Sequence, residues 1–197
     1  LLIGDVAHPP DAADVLLGRG RVAASQVLKQ PDVLMLHHLV PDEVAPGSLE
    51  SNLDFYGPRT AHGSSLSPAI HAALLARAGR ADEALEPLRI ALALDLDDLT
   101  GMTAAGLHLA TFGALWPAML AGFAGVRVRD GVLGLDPRLP TSWRSLELRF
   151  HCLGRRVRLL VTPDGIDVHT SRPLQVRLAG QAPRRVAGHT RLAQPAG

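Results

Sequence analysis

The stretch Pro58-Arg59-Thr60-Ala61-His62-Gly63-Ser64-Ser65-Leu66-Ser67-Pro68 gathers residue types that can hold a small oxyanion. Ser67 suits a helix N-cap, and Pro68 the first helical position, where its missing N–H costs nothing. The hydroxyls of Ser64 and Ser65 then stand just before a helix N-terminus, and Gly63 lets the backbone come close to a ligand. Hydroxyls, free amides and the positive end of a helix together suit phosphate. The same residues also make an ordinary serine-rich helix cap.

Three further groups could take part in chemistry. Lys29 and Gln30 stand before Pro31 inside a helical pattern over 21–40 carried by Val22, Val27, Val33, Leu34, Leu36 and Leu39. Proline ends or kinks a helix, and a kink there turns Lys29 and Gln30 toward a cavity or leaves them in solvent. His108 falls among Leu107, Leu109 and Ala110, where a histidine is either a satisfied core residue or a site residue. Asp97-Asp98 are adjacent carboxylates without a third oxygen-rich position, which suits a turn or cap better than a metal, so no metal site is expected.

The elements that must position these residues change type along the chain. Residues 1–20, with Pro9-Pro10 and Gly18-Arg19-Gly20, read as a connector, and 41–57 as a loop or a short helix between loops. Helices are expected over 68–78, 81–95 and 103–121, the last containing His108 and rich in alanine and glycine. The Gly79-to-Leu85 opening resembles a tetratricopeptide start, but one copy makes no solenoid. After about residue 124 the period becomes two. Val126–Arg129 and Val132–Leu135 flank an Asp130-Gly131 hairpin signal, and alternation recurs at 146–150, 156–161, 166–169 and 174–178, with a turn at Asp164-Gly165. The pattern predicts a small antiparallel β-sandwich with arginine-rich outer faces, followed by a flexible tail over 181–197.

Composition narrows the function classes. The 197 residues are 47% hydrophobic with a net charge of +1, which suits a packed core and gives no reason to expect nucleic acid. Aromatic residues make up 4%, too few for base-stacking platforms. The single cysteine, Cys152, excludes an internal disulfide and a cysteine zinc site. No run reaches the roughly 18 apolar residues of a membrane span, and no signal-peptide pattern opens the chain, so no membrane partner and a cytoplasmic location are expected. The first residue is Leu1 rather than Met, as in a piece of a longer protein.

Five motifs occur in order: Lys29-Gln30-Pro31-Asp32-Val33; Pro58-Arg59-Thr60 with His62-Gly63-Ser64-Ser65-Leu66-Ser67; Leu94-Asp95-Leu96-Asp97-Asp98; Gly106-Leu107-His108; and Val126-Arg127-Val128-Arg129-Asp130-Gly131. Across roughly residues 20–180 this series resembles the C-terminal portion of glycoside hydrolase family 65, the maltose, trehalose and kojibiose phosphorylases. The resemblance implies the last helices of an (α/α)6 barrel over 21–124 and a C-terminal β-sheet domain over 125–180. It implies substrate-binding roles for Lys29 and Gln30 and phosphate-binding roles for Ser64, Ser65 and His108. It implies a disaccharide substrate, inorganic phosphate as co-substrate with no cofactor, and β-glucose 1-phosphate as product. The rest of the barrel would be its partner, and family members are often homodimers.

Two positions depart from that pattern. The family's general acid is a glutamate upstream of the Lys-Gln motif, and residues 1–28 contain no glutamate. Ala104-Ala105 stand where phosphorylases often carry acidic residues. The first departure leaves a non-catalytic, partner-dependent piece as the alternative to a phosphorylase. A third reading, a family hydrolase, needs a carboxylate to activate water, for which Asp97 and Asp98 are the nearby candidates. A partial barrel would also expose apolar stripes beyond the few hundred Å2 usual for a monomer.

Overall fold

Four alanines on one helix, Ala69, Ala72, Ala73 and Ala76, let neighbouring backbones approach closely, and the helix that carries them lies at the middle of the first half of the molecule. The computed structural model describes residues 17–62 and 64–193. The chain divides into two compact units at Ala118/Met119. The first holds helices α1 (Arg19–Ala23), α2 (Asp32–Leu39), α3 (Ser48–Tyr56), α4 (Ser67–Arg77), α5 (Leu85–Leu96) and α6 (Leu109–Pro117). Short 3-10 turns lie at Gly57–Arg59 and Thr103–Ala105. Helix α4 packs against α2, α3, α5 and α6. All of its residues from Ser67 to Leu74 are buried, as a helix apolar on every side must be. Helix α5 turns Leu88, Ala91, Leu94 and Asp95 inward.

Several expectations change here. The helical pattern over 21–40 is not one kinked helix. Residues 24–31 run between α1 and α2, and Pro31 sits just before α2 with an extended ψ of 101°. The helix expected over 103–121 is broken, because Gly106 adopts φ 149°, a conformation open mainly to glycine. His108 therefore precedes α6 instead of lying within a helix, and a π-helix covers Ala118–Phe123. Residues 81–84 are a turn, with α5 starting at Leu85. The connector expected over 1–20 lies largely outside the described residues, as does Gly63.

The second unit carries β1 (Arg127–Arg129), β2 (Val132–Leu135), β3 (Leu146–Cys152), β4 (Arg155–Thr162), β5 (Gly165–Leu178) and β6 (Arg184–Leu192). All six join one curled mixed sheet, which corrects the antiparallel sandwich. Strand β5 is 14 residues long. Its first part pairs antiparallel with β4 and its second part parallel with β2, while β6 follows the opposite edge. The register shifts between Thr170 and Leu174, yet Ile166, Val168, Leu174, Val176 and Leu178 all stay buried. Strand β6 occupies 184–192, where a flexible tail was expected. Its Val186 and Leu192 complete the inner face beside β5. Asp130-Gly131 forms the anticipated hairpin turn with both φ angles positive, at 52° and 75°. The β4–β5 turn falls on Pro163-Asp164, and Gly165 is already paired with Thr162.

Gly125 has φ 59°, and a Cβ built there would lie 1.9 Å from the carbonyl oxygen of Asp136. The same two residues share a hydrogen bond from the Asp136 N–H to the Gly125 carbonyl, 3.1 Å. Gly125→Ala is expected to lower the urea unfolding free energy by about 2–4 kcal/mol. Gly154→Asn, also at positive φ but with open space around it, should cost less than about 1 kcal/mol.

Candidate active site

A single parallel bridge organises one side of the site. The Leu28 N–H donates to the Arg59 carbonyl at 2.8 Å, and the Ala61 N–H donates to the Leu28 carbonyl at 2.7 Å. This lays the chain entering Lys29 and Gln30 alongside Thr60-Ala61. Thr60 is buried and its hydroxyl donates to the Tyr56 carbonyl at 2.7 Å. Arg59 is fixed by donating to Gln26 Oε1 and to the Phe55 carbonyl, and it stacks on the Phe55 ring at 4.1 Å. The Lys29 side chain stays exposed, and Gln30 makes one long contact with Asp32, 3.5 Å.

Ser64 and Ser65 follow in the turn that enters α4. Their hydroxyls make no protein hydrogen bond among the described residues. Their carbonyls are engaged: Ser64 accepts the Ser67 N–H at 3.1 Å, and Ser65 accepts the Thr111 hydroxyl at 2.9 Å. Ser67 is not the N-cap. It is the first residue of α4, buried, with its Oγ paired to His62 Nδ1 at 2.6 Å, and Leu66 holds the cap position. Among the described residues the turn thus leaves the Ser64 and Ser65 hydroxyls without a protein partner, while the Ser67 hydroxyl serves a histidine.

His108 reaches the same turn from the other side. The Thr111 that holds the Ser65 carbonyl lies in the first turn of α6, and its own N–H donates to the His108 carbonyl at 2.9 Å. Asp95 binds His108 twice: Oδ2 accepts the His108 backbone N–H at 2.7 Å, and Oδ1 pairs with Nδ1 at 2.6 Å. The Asp95 side chain is 3% exposed and that of His108 25%. The hydrogen bond from His108 holds the Asp95 carboxyl below the usual carboxylate range. With Nδ1–H committed to the carboxylate, Nε2 is the ring atom that can face a ligand. Residue spacing alone did not reveal Asp95 as this partner, although it extends the Leu88, Ala91 and Leu94 stripe. Asp98, a candidate for water activation, instead accepts the Thr103 N–H at 2.9 Å, a turn role. Among the described residues, no group of three His, Cys, Asp or Glu side chains could hold a metal.

The structure therefore joins Ser65 to His108 through Thr111. It brings Gln30 to the α4 entry through a small cavity of about 20 Å3 shared with Ser67 and His71. Beneath the turn, His62 and His71 meet edge to face with centroids 4.6 Å apart. Burial pushes His62 down to about 4 and, with His62 beside it, His71 down to about 3. The unfolded chain takes up these protons near pH 6.5, whereas the folded chain refuses them until far lower. Folding stability is accordingly full above about pH 6.5 and falls as the pH drops toward 4. Urea midpoints at pH 7 and pH 5 check this, and His71→Leu should lose less stability over that interval than the unsubstituted chain.

The description of the glycosyl hydrolase family 65 central catalytic domain matches residues 12–117, and that of the family's C-terminal domain matches residues 126–183. The chain is 39% identical over 163 residues to the kojibiose phosphorylase of Escherichia coli K12, covering 83% of this chain and 22% of that protein. It is 34% identical over 158 residues to the α,α-trehalose phosphorylase of Geobacillus stearothermophilus, covering 79% of this chain and 21% of that protein. A human-microbiome protein of solved structure, provisionally designated a kojibiose phosphorylase, superimposes with a TM-score of 0.88 at 25% identity, over 100% of this chain and 29% of its own. With both domain descriptions matched in order, the chain belongs to glycosyl hydrolase family 65.

Proposed function

We propose that this chain supplies the closing helices of an (α/α)6 catalytic barrel and the C-terminal domain of a cytoplasmic, inverting α-glucoside phosphorylase. The substrates are a disaccharide and inorganic phosphate, and the products are β-glucose 1-phosphate and a free sugar. Phosphate oxygen bonds to the anomeric carbon as the glycosidic C–O bond breaks, and a carboxylic acid elsewhere in the barrel gives its proton to the leaving oxygen. Phosphate is already a nucleophile, so the protein's task is to place it and balance its charge.

The observation that carries this reading is the doubly held Asp95–His108 pair, linked through Thr111 to the turn whose Ser64 and Ser65 hydroxyls have no protein partner among the described residues. In this reading the Ser64 and Ser65 hydroxyls donate to phosphate oxygens and the His108 ring faces the same ion, with Asp95 fixing the ring. Lys29 and Gln30 hold the sugar on the facing side. The Thr103 N–H on Asp98 Oδ1 favours a turn role for that carboxylate over water activation. Leu92, Leu96, Leu109, Phe112 and Trp116 of α5 and α6 are all more than a third exposed. We assign that apolar face to the remaining helices of the barrel.

The test uses the full-length natural protein. Ser64→Ala should raise KM for phosphate about 10-fold to 100-fold and leave KM for the disaccharide nearly unchanged. Asp95→Asn should do the same through His108, roughly tenfold or more. Equal losses for both substrates would sink the assignment of these residues to phosphate. The chain by itself should self-associate and bind a hydrophobic dye, checked by sedimentation and dye fluorescence.

A further inference from the structure

Charge is divided unevenly along this chain. From Met119 onward the sequence holds thirteen arginines against five carboxylates. Several of those arginines find a carboxylate: Arg138 meets Asp136, Arg149 and Arg158 share Glu147, and Arg191 meets Asp167. Arg127 and Arg177 have no such partner among the described residues, and both are exposed. Their positions are linked by the sheet register. Arg127 of β1 stands opposite Gly134 of β2, and Gly134 stands opposite Arg177 of β5. The two arginines therefore flank a residue with no side chain, two strand spacings apart, or about 10 Å.

A groove of about 440 Å3 is lined by Arg127, Gly134 and Arg177 together with Gly180 and Gln181 from the turn after β5. The turn is fixed by the Gln181 N–H donating to the Leu178 carbonyl at 2.9 Å, and by the Ala179 N–H donating to the Leu135 carbonyl at 2.9 Å. Asp136 is the one carboxylate on the lining, and Arg138 holds it at 3.1 Å. Two guanidinium forks offer paired N–H donors in the geometry that matches phosphoryl oxygens, and the local surplus of positive charge adds to the attraction. The groove is far larger than one phosphate ion. We infer that this groove binds a phosphate monoester of a small polar molecule, its phosphoryl group between Arg127 and Arg177. It lies wholly within the sheet unit and does not depend on the phosphate assignment of Ser64, Ser65 and His108.

The experiment is a TROSY-detected 15N–1H chemical-shift titration of the perdeuterated full-length natural protein with inorganic phosphate, glucose 6-phosphate and sodium acetate at equal ionic strength. Saturable shifts at the Gly134, Gly180 and Gln181 amides are expected with both phosphates, tighter for the hexose ester. Arg127→Gln/Arg177→Gln should weaken them roughly tenfold or more, while Ser64→Ala leaves them unchanged. The surface substitutions keep the sheet, which the unshifted core amides verify. The inference fails if no shift develops on the order of 10 mM ligand, if acetate reproduces the shifts, if they survive loss of both arginines, or if Ser64→Ala removes them.

Discussion

A carboxylate buried to 3% exposure must be paired, and Asp95 is paired with both N–H groups of one residue, His108. That requirement shapes the segment between α5 and α6. The chain leaves α5, turns through Asp98 at φ 47° and Gly101 at φ 66°, and returns so that His108 meets Asp95 across 13 positions of sequence. Helix α6 begins at the residue after His108, and its first turn places Thr111 on the Ser65 carbonyl. Removing the carboxylate would leave two donors without their acceptor and free the turn that presents the serines.

The other side of the site rests on burial of α4. Because its neighbours press on all sides, its N-terminal entry has little freedom, and the His62–Ser67 bond and the Leu28–Thr60 bridge hold what freedom remains. The two histidines beneath the turn stay neutral at physiological pH because charging either would strand a cation in an apolar setting. In the proposed reading, this fixed turn lets the Ser64 and Ser65 hydroxyls hold phosphate.

The sheet unit depends on a different constraint, one strand serving two partners on one edge. Strand β5 keeps its buried side chains in step across the register shift, so β4 and β2 can both pair with it while β6 covers the far edge. The outward positions of the same strands carry the arginines. Up to Ala118 the sequence has seven basic residues against fourteen acidic ones, so a net charge of +1 is the sum of two units of opposite sign.

The sequence by itself determined the order of helices before strands and the Asp130-Gly131 hairpin, and it singled out Ser64, Ser65, Lys29, Gln30 and His108 as candidates. These follow from local periodicity, from turn residues that demand positive φ, and from motifs read against a family. The flexible-tail reading of 184–192 failed because two glycine- and proline-flanked arginines mask a strand that only β5 stabilises. The parallel β2–β5 pairing, the break before His108 and the use of Ser67 by His62 were likewise not legible, since each depends on a partner distant in sequence. Tertiary structure alone decided that Asp95 holds His108, because a carboxylate's partner is set by which donor reaches the same buried space, and spacing along the chain does not encode that.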